Sequence, residues 1–235
     1  MIKRVPGEFR GYSLDLNFVD LLIKTSQLSE KVEDPVKEVI QLGLQSSCSI
    51  YVRSDSSKSQ WSGSGFHVGN GLIVTAGHVI PNDANISDIS ISFDNQQFYP
   101  ARFVKSDPNI DAGVIYCEQA RSFPTLSLGD SDTLEKGDII AVIGAPEGFH
   151  DTTTVGRISN LHQGLGKGAP SEAWNDIIFV DADIMEGSSG GMVIGTDGLV
   201  YGLVMGVTGQ HADVGIGESS VSPSNKIKKM LSEIV

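Results

Sequence analysis

Two adjacent serines sit in the glycine-rich stretch EGSSGGM, Glu186–Met192. A serine hydroxyl attacks a carbonyl only when it is presented on a sharp turn beside a base. Backbone N–H groups must also be free to hold the oxyanion that forms. Glycine permits the unusual φ/ψ values that aim such N–H groups inward. Gly187 stands two residues before Ser189, and Gly190 and Gly191 let the chain leave the turn at once. The pattern is G-x-S-G-G, so Ser189 is the candidate nucleophile and Ser188 occupies the x. Glycine–serine turns also serve as linkers, so the motif needs partners elsewhere in the chain.

A base must lie nearby. Of the histidines His67, His78, His150, His162 and His211, only His78 has a distinctive setting, LIVTAGHVI. An apolar β run enters Thr75-Ala76-Gly77-His78, which would hold an imidazole rigidly at a strand end. The base in turn needs an orienting carboxylate. DPNIDAGVIYC places Asp111 at the mouth of an apolar strand. Asp107 competes, but it precedes a proline and reads as a turn residue.

The elements that must carry these residues divide the chain in three. Residues 1–44 read as a helical extension. Leu14, Phe18, Leu21, Leu22, Thr25, Leu28 and Val32 form one stripe, and PVKEVIQLGL starts a second helix with Pro35 in a permitted first-turn position. Residues 45–120 and 121–235 alternate short β runs with Gly, Asn and Asp turns. Strands are expected near 47–52, 62–68, 71–75, 87–93, 97–105, 112–117, 138–143, 152–161, 176–182, 191–195, 199–207 and 214–221. That pattern argues an all-β barrel or sandwich architecture. The stretch 118–137 reads as a connector between two groups of six strands. SPSNKIKKMLSEIV reads as a closing helix, with Ser222 as N-cap and Pro223 in the first turn.

Composition excludes several function classes. The chain has 235 residues, 27 of them glycine, and a formal net charge of −12. Such an acidic surface disfavours nucleic acid and anionic membrane as partners. Cys48 and Cys117 lie in apolar β runs and read as small buried side chains. No Cys/His spacing suggests a metal site, and no cofactor is expected. The first sixteen residues lack the apolar run of a secretory signal, and no segment has the roughly 20 apolar residues of a membrane helix. The expected location is therefore cytoplasmic.

The pieces occur in the order His78, Asp111, Ser189. In that order and in its motifs the chain resembles chymotrypsin-fold, trypsin-like serine peptidases, and among them the HtrA/Deg protease domain. GSGFHVGNGLIVTAGHVI is similar to that family's histidine block and DPNIDAGVI to its aspartate block. LGDSDTLEKGDIIAVIGAPEGF, TTTVGRISNL, DADIMEGSSGGMVI and VGIGESSVSPSNKIKKML follow in family order, so the likeness covers roughly 36–234. It implies two six-stranded antiparallel β-barrels, one peptidase domain preceded by N-terminal helices and closed by a short C-terminal helix. It implies a catalytic triad of His78, Asp111 and Ser189 and an oxyanion hole from the N–H groups of Gly187 and Ser189. Three residues depart from the family pattern. Ser188 stands where Asn or Asp is usual, Met192 where Pro or Ala is common, and Glu186 adds a carboxylate beside the oxyanion turn. No PDZ domain is expected in this chain.

Two pockets are open. Asp183, six residues before Ser189, occupies the place of an aspartate that receives Lys or Arg. The HtrA-like alternative puts Ile184 and Val207 on the wall of a pocket for a small aliphatic side chain, and the surrounding residues favour it. The glycine-rich loop 162–175 resembles the regulatory loop of HtrA proteases, or is a plain surface loop. The functional expectation is a serine endopeptidase acting on protein or peptide substrates. The alternatives are a catalytically weak, chaperone-like binding module on the same scaffold and a maturation enzyme with one dedicated substrate. The Leu14–Val32 stripe packs on the protein's own body or serves a homo-oligomer, for which the resemblance suggests a trimer.

Overall fold

The computed structural model describes residues 35–54, 59–80, 88–145, 152–164, 173, 175–208 and 218–234. The Leu14–Val32 stripe and most of loop 162–175 lie outside these residues. Helix α1 (Pro35–Leu44) leads into six strands: β1 (Ser47–Ser54), β2 (Ser59–Gly69), β3 (Leu72–Ala76), β4 (Asp88–Ser92), β5 (Tyr99–Asp107) and β6 (Ala112–Tyr116). They close into an antiparallel barrel in the order β1-β2-β3-β6-β5-β4, with β4 returning to pair β1. A connector with short 3₁₀ turns at Glu118–Ser122 and Ser131–Thr133 crosses to a second set of six. These are β7 (Ile139–Gly144), β8 (Thr152–Gln163), β9 (Ile177–Val180), β10 (Met192–Gly195), β11 (Val200–Thr208) and β12 (Glu218–Pro223). Their order is β10-β11-β12-β9-β8-β7, closed by the β7–β10 pairing. Helix α2 (Ser224–Ser232) follows.

The expected all-β fold of two six-stranded barrels is therefore the observed one. Its packing explains why some strands lack the alternation of a half-buried strand. IIFV in β9 and MVIG in β10 are buried at every position. One face of each, with Ile178, Val180 and Val193, fills the second barrel together with Ile140, Val142, Val204 and Val221. The other face, with Ile177, Phe179, Met192 and Ile194, joins a larger core. That core also holds Val39 of α1, Ile227 and Met230 of α2, and first-barrel residues such as Ile50, Phe66, Ile73 and Ile115. Strands covered on both faces read as continuous apolar runs.

The closing helix begins one residue later than its sequence signals suggest. Pro223 is its N-cap and makes no side-chain cap bond. Ser222 lies inside β12, paired with Leu203, and its hydroxyl donates to the Ile110 carbonyl at 2.7 Å. A sheet ladder plus a buried hydroxyl partner wins over a helix cap, because both bury polar groups that would otherwise be orphaned. The helix is instead anchored from outside. Ser224 Oγ donates to the Gly129 carbonyl at 2.7 Å, and Asn225 Nδ2 to Asp130 Oδ1 at 2.7 Å. Lys226 Nζ reaches the carbonyls of Asn175 and Asp176 at 2.8 and 2.7 Å. Cys48 and Cys117 are free and buried, and burial, with a smaller contribution from Cys117, pushes the Cys48 thiol up.

Candidate active site

His78 follows the end of β3, and Asp111 immediately precedes β6, the strand hydrogen-bonded to β3. The pairing of Ala76 with Ala112 brings the two residues together. Asp111 accepts from the His78 backbone N–H at 2.9 Å, and its two oxygens lie 3.0 and 2.9 Å from His78 Nδ1. A carboxylate only accepts, so the contact requires the proton on Nδ1 and leaves the Nε2 lone pair outward. The imidazole is 50% exposed and the carboxylate 15%. The imidazole therefore faces solvent while the carboxylate beside it is largely covered.

Asp111 has φ 47°, a left-handed conformation uncommon for a residue with a side chain. The Ser222 hydroxyl from the second barrel holds the carbonyl just before it. Asp107, the competing carboxylate, makes the turn. Its Oδ1 accepts from Asn109 N–H at 2.9 Å and its carbonyl from Ile110 N–H at 3.4 Å.

The second barrel contributes the Gly187–Gly191 turn between β9 and β10. Gly187 and Gly190 have φ 89° and 85°. A Cβ on Gly190 would lie 2.2 Å from the Ser64 carbonyl oxygen and 2.7 Å from the Ala76 nitrogen, so the turn sits directly on the end of β3. Ser64 N–H donates to the Ser189 carbonyl at 2.8 Å across the same junction. Within the turn, Ser188 N–H donates to Met185 O at 3.0 Å, and Gly191 N–H to Ser188 O at 2.8 Å.

The two serines differ sharply. Ser188 is 3% exposed, and its Oγ accepts from Met185 N–H at 3.2 Å. Its hydroxyl braces the turn from inside. Ser189 is half-buried, and its Oγ lies 3.5 Å from the Met205 carbonyl, the outer limit of a hydrogen bond. Among the described residues, neither Gly187 N–H nor Ser189 N–H donates to another protein group. Glu186 is exposed on the same turn.

Of the residues expected in a pocket, Ile184 is half-buried and packs on the core of the second barrel. The Asp183 side chain is exposed, while its carbonyl accepts from Thr154 Oγ1 at 2.7 Å. Val207 pairs with Ser219 in the β11–β12 ladder.

Local sequence reasoning missed two residues at this junction. Ser64 Oγ donates to Gly187 O at 2.7 Å and accepts from Ala145 N–H at 2.9 Å. Ser222 braces the Asp111 turn. Their partners lie 123, 81 and 112 positions away, so no local signal could have found them. His67, which has no distinctive sequence setting, is fully buried. Its Nδ1 donates to the carbonyls of Phe123 and Pro124 at 3.2 and 3.0 Å, and its Nε2 accepts from Gly71 N–H at 3.2 Å. It ties the connector to the first barrel. No group of three His, Cys, Asp or Glu side chains converges as a metal site among the described residues.

The sequence pattern of the trypsin-like peptidase domain matches residues 63–203, which span the His78, Asp111 and Ser189 segments and most of both barrels. The chain belongs to the trypsin-like peptidase domain family. This trypsin-like domain is 31% identical over 224 residues to the serine protease HTRA1A of Danio rerio, covering 95% of this chain and 44% of that one. It is 31% identical over 166 residues to the periplasmic serine endoprotease DegP of Escherichia coli K12, covering 70% of this chain and 33% of that one. It thus spans less than half the length of these relatives. Among solved folds it is similar to the HtrA-type protease AlgW with tripeptide, at TM-score 0.73 and 23% identity, covering 85% of this chain and 63% of that one. It is also similar to the active form of the Rv3671c protease from M. tuberculosis, at TM-score 0.70 and 23% identity, covering 83% of each chain.

Proposed function

We propose that this trypsin-like domain is a serine endopeptidase that cleaves protein or peptide segments through Ser189, His78 and Asp111. One observation carries the reading. The end of β3, which leads into an Asp-oriented imidazole, packs across one barrel junction against a turn that presents a half-buried serine beside two unspent backbone N–H groups. In the proposed reaction His78 Nε2 takes the Ser189 proton as Oγ adds to the substrate carbonyl. The N–H groups of Gly187 and Ser189 receive the oxyanion, and the imidazolium is stabilised by Asp111. His78 then returns the proton to the leaving amine. The acyl-serine ester is hydrolysed by water through the same groups. To react, the Ser189 hydroxyl leaves the Met205 carbonyl, which costs little for a contact of 3.5 Å.

The proposal includes a small aliphatic P1 preference, supported by Ile184, whose side chain belongs to the second barrel's apolar packing, and by an Asp183 side chain exposed to solvent. A peptide library separates the two pockets. Cleavage after Val or Ala is expected, and cleavage chiefly after Lys or Arg would transfer the pocket to Asp183.

The reaction is tested by treating the protein with a fluorophosphonate and locating the adduct by peptide mass spectrometry. The expected adduct lies on Ser189 and is lost in His78→Ala. A folded sample without adduct would favour the binding-module reading. The Ser189 contact to Met205 rather than to His78 is the observation on that side.

A further inference from the structure

We propose that Ser64, a residue of the first barrel, is a positioning residue for the oxyanion turn of the second. It rests on the assignment of Ser189 and of the Gly187 and Ser189 N–H groups above. Ser64 is fully buried in β2 and meets the turn with two of its polar groups, the hydroxyl and the backbone N–H. Its Oγ donates to the Gly187 carbonyl at 2.7 Å, and its own N–H donates to the Ser189 carbonyl at 2.8 Å. It therefore grips the carbonyls on both sides of Ser188. Its carbonyl in turn accepts from Thr75 Oγ1 at 2.7 Å, which ties it to β3 just before His78.

The direction of the hydroxyl bond is determined. Ala145 N–H donates to Ser64 Oγ at 2.9 Å, occupying an acceptor site of the oxygen. The single hydroxyl proton is then free to be aimed at Gly187 O. The same peptide unit is held at its other end, where Ser188 N–H donates to Met185 O at 3.0 Å. A peptide plane held through both its C=O and its N–H cannot rotate without losing two hydrogen bonds, one of them to the fully buried Ser64. Gly187 needs such an external lock. With φ 89° and no Cβ it has no steric resistance of its own to rotation, and its N–H is one of the two expected to meet the oxyanion. Ser64 thereby makes the geometry of the oxyanion site in one barrel depend on the docking of the other.

The test uses the intact chain, the fluorogenic peptide selected by the library, the aldehyde of the same peptide and its product acid. An aldehyde adds to the nucleophilic serine and places an oxyanion where the transition state does, whereas the product acid reports ground-state binding. Ser64→Ala is expected to lower kcat by about 10–10²-fold with KM changed less than about threefold, a fraction of what losing a whole donor costs. Aldehyde affinity should fall by the same factor as kcat/KM, and product affinity should hold. A folded Ser64→Ala protein with wild-type kcat and aldehyde affinity would overturn the proposal. So would equal losses of aldehyde and product affinity, which mark general disruption. Should Ser64→Ala fail to fold, Ser64→Cys, with similar volume and a weak donor, is measured on the same readouts and decides in the same way. A wild-type protein that neither cleaves nor labels at Ser189 would instead defeat the parent reading, and this one with it.

Discussion

At the scale of single residues, the two serines make opposite predictions. Ser189→Ala should abolish both fluorophosphonate labelling and hydrolysis, because the nucleophilic oxygen is gone. Ser188→Ala should retain the adduct on Ser189 and lower Tm modestly, since it removes one buried hydrogen bond worth about 1 kcal/mol. A labelled Ser188 in Ser189→Ala would reverse the assignment. Gly190→Ala should be far worse, at about 3 kcal/mol or more by denaturant melts. It forces a side chain into φ 85° and into the Ser64 carbonyl. Residue type alone did not separate Asp107 from Asp111, which both sit in DPNID. The ladder did, by putting Asp111 opposite the His78 strand and leaving Asp107 to cap its own turn. His67 teaches the same lesson in reverse. A histidine with no local signal proved to be a buried tie, because both its carbonyl partners come from the connector.

At the scale of elements, helix α2 is held by carboxylates at both ends. Asp130 lies below the usual carboxylate range through its hydrogen bonds from Asn225 and from Asp132 N–H, and Glu233 through its hydrogen bond and charge pairing with Lys105. For Asp176, partial burial pushes the carboxyl up, but the hydrogen bond from His162 and the charge of Lys226 outweigh it, so the net shift is downward. The sign follows from linkage. A carboxylate whose folded value is lowered stabilises the fold fully above its unfolded value, about 4. That contribution is lost as pH falls through the folded value. Acidification from about pH 5 to pH 3 should therefore loosen α2 first, seen as faster amide exchange in 224–232 than in β10. Lys226→Ala should weaken the same helix at neutral pH, and equal protection of α2 at both pH values would count against this anchoring. The helix's existence was legible from its Pro and Lys pattern. Its first residue was not, because Ser222 is claimed by a β ladder that only the closed barrel creates.

At the scale of the whole molecule, one apolar core runs from the first barrel over the outer face of the second. Ile143 belongs to it, from β7 of the second barrel. Ile143→Ala should cost about 2–5 kcal/mol and lower the stability of both barrels together. Calorimetry should show one transition for the described body, with amide exchange in β3 and β7 accelerating alike. Two separated transitions would mean that the barrels fold apart.

The twelve strands among the described residues were legible in the sequence, since β-branched runs and Gly, Asn and Asp turns are local signals that each segment carries for itself. The candidate nucleophile, base and carboxylate were legible for a related reason. A serine on a glycine turn, a histidine at a strand end and an aspartate at a strand mouth each have a recognisable immediate context. What only the tertiary structure decided is everything that depends on closure of the barrels and their junction. That includes the contact of Asp111 with His78 through the β3–β6 ladder, the burial of the Ser188 hydroxyl, and the bonds of Ser64 and Ser222 across more than a hundred residues of chain. Hydrogen bonds are short-ranged and directional, so a sequence shows only that a hydroxyl is present. The fold decides what it meets.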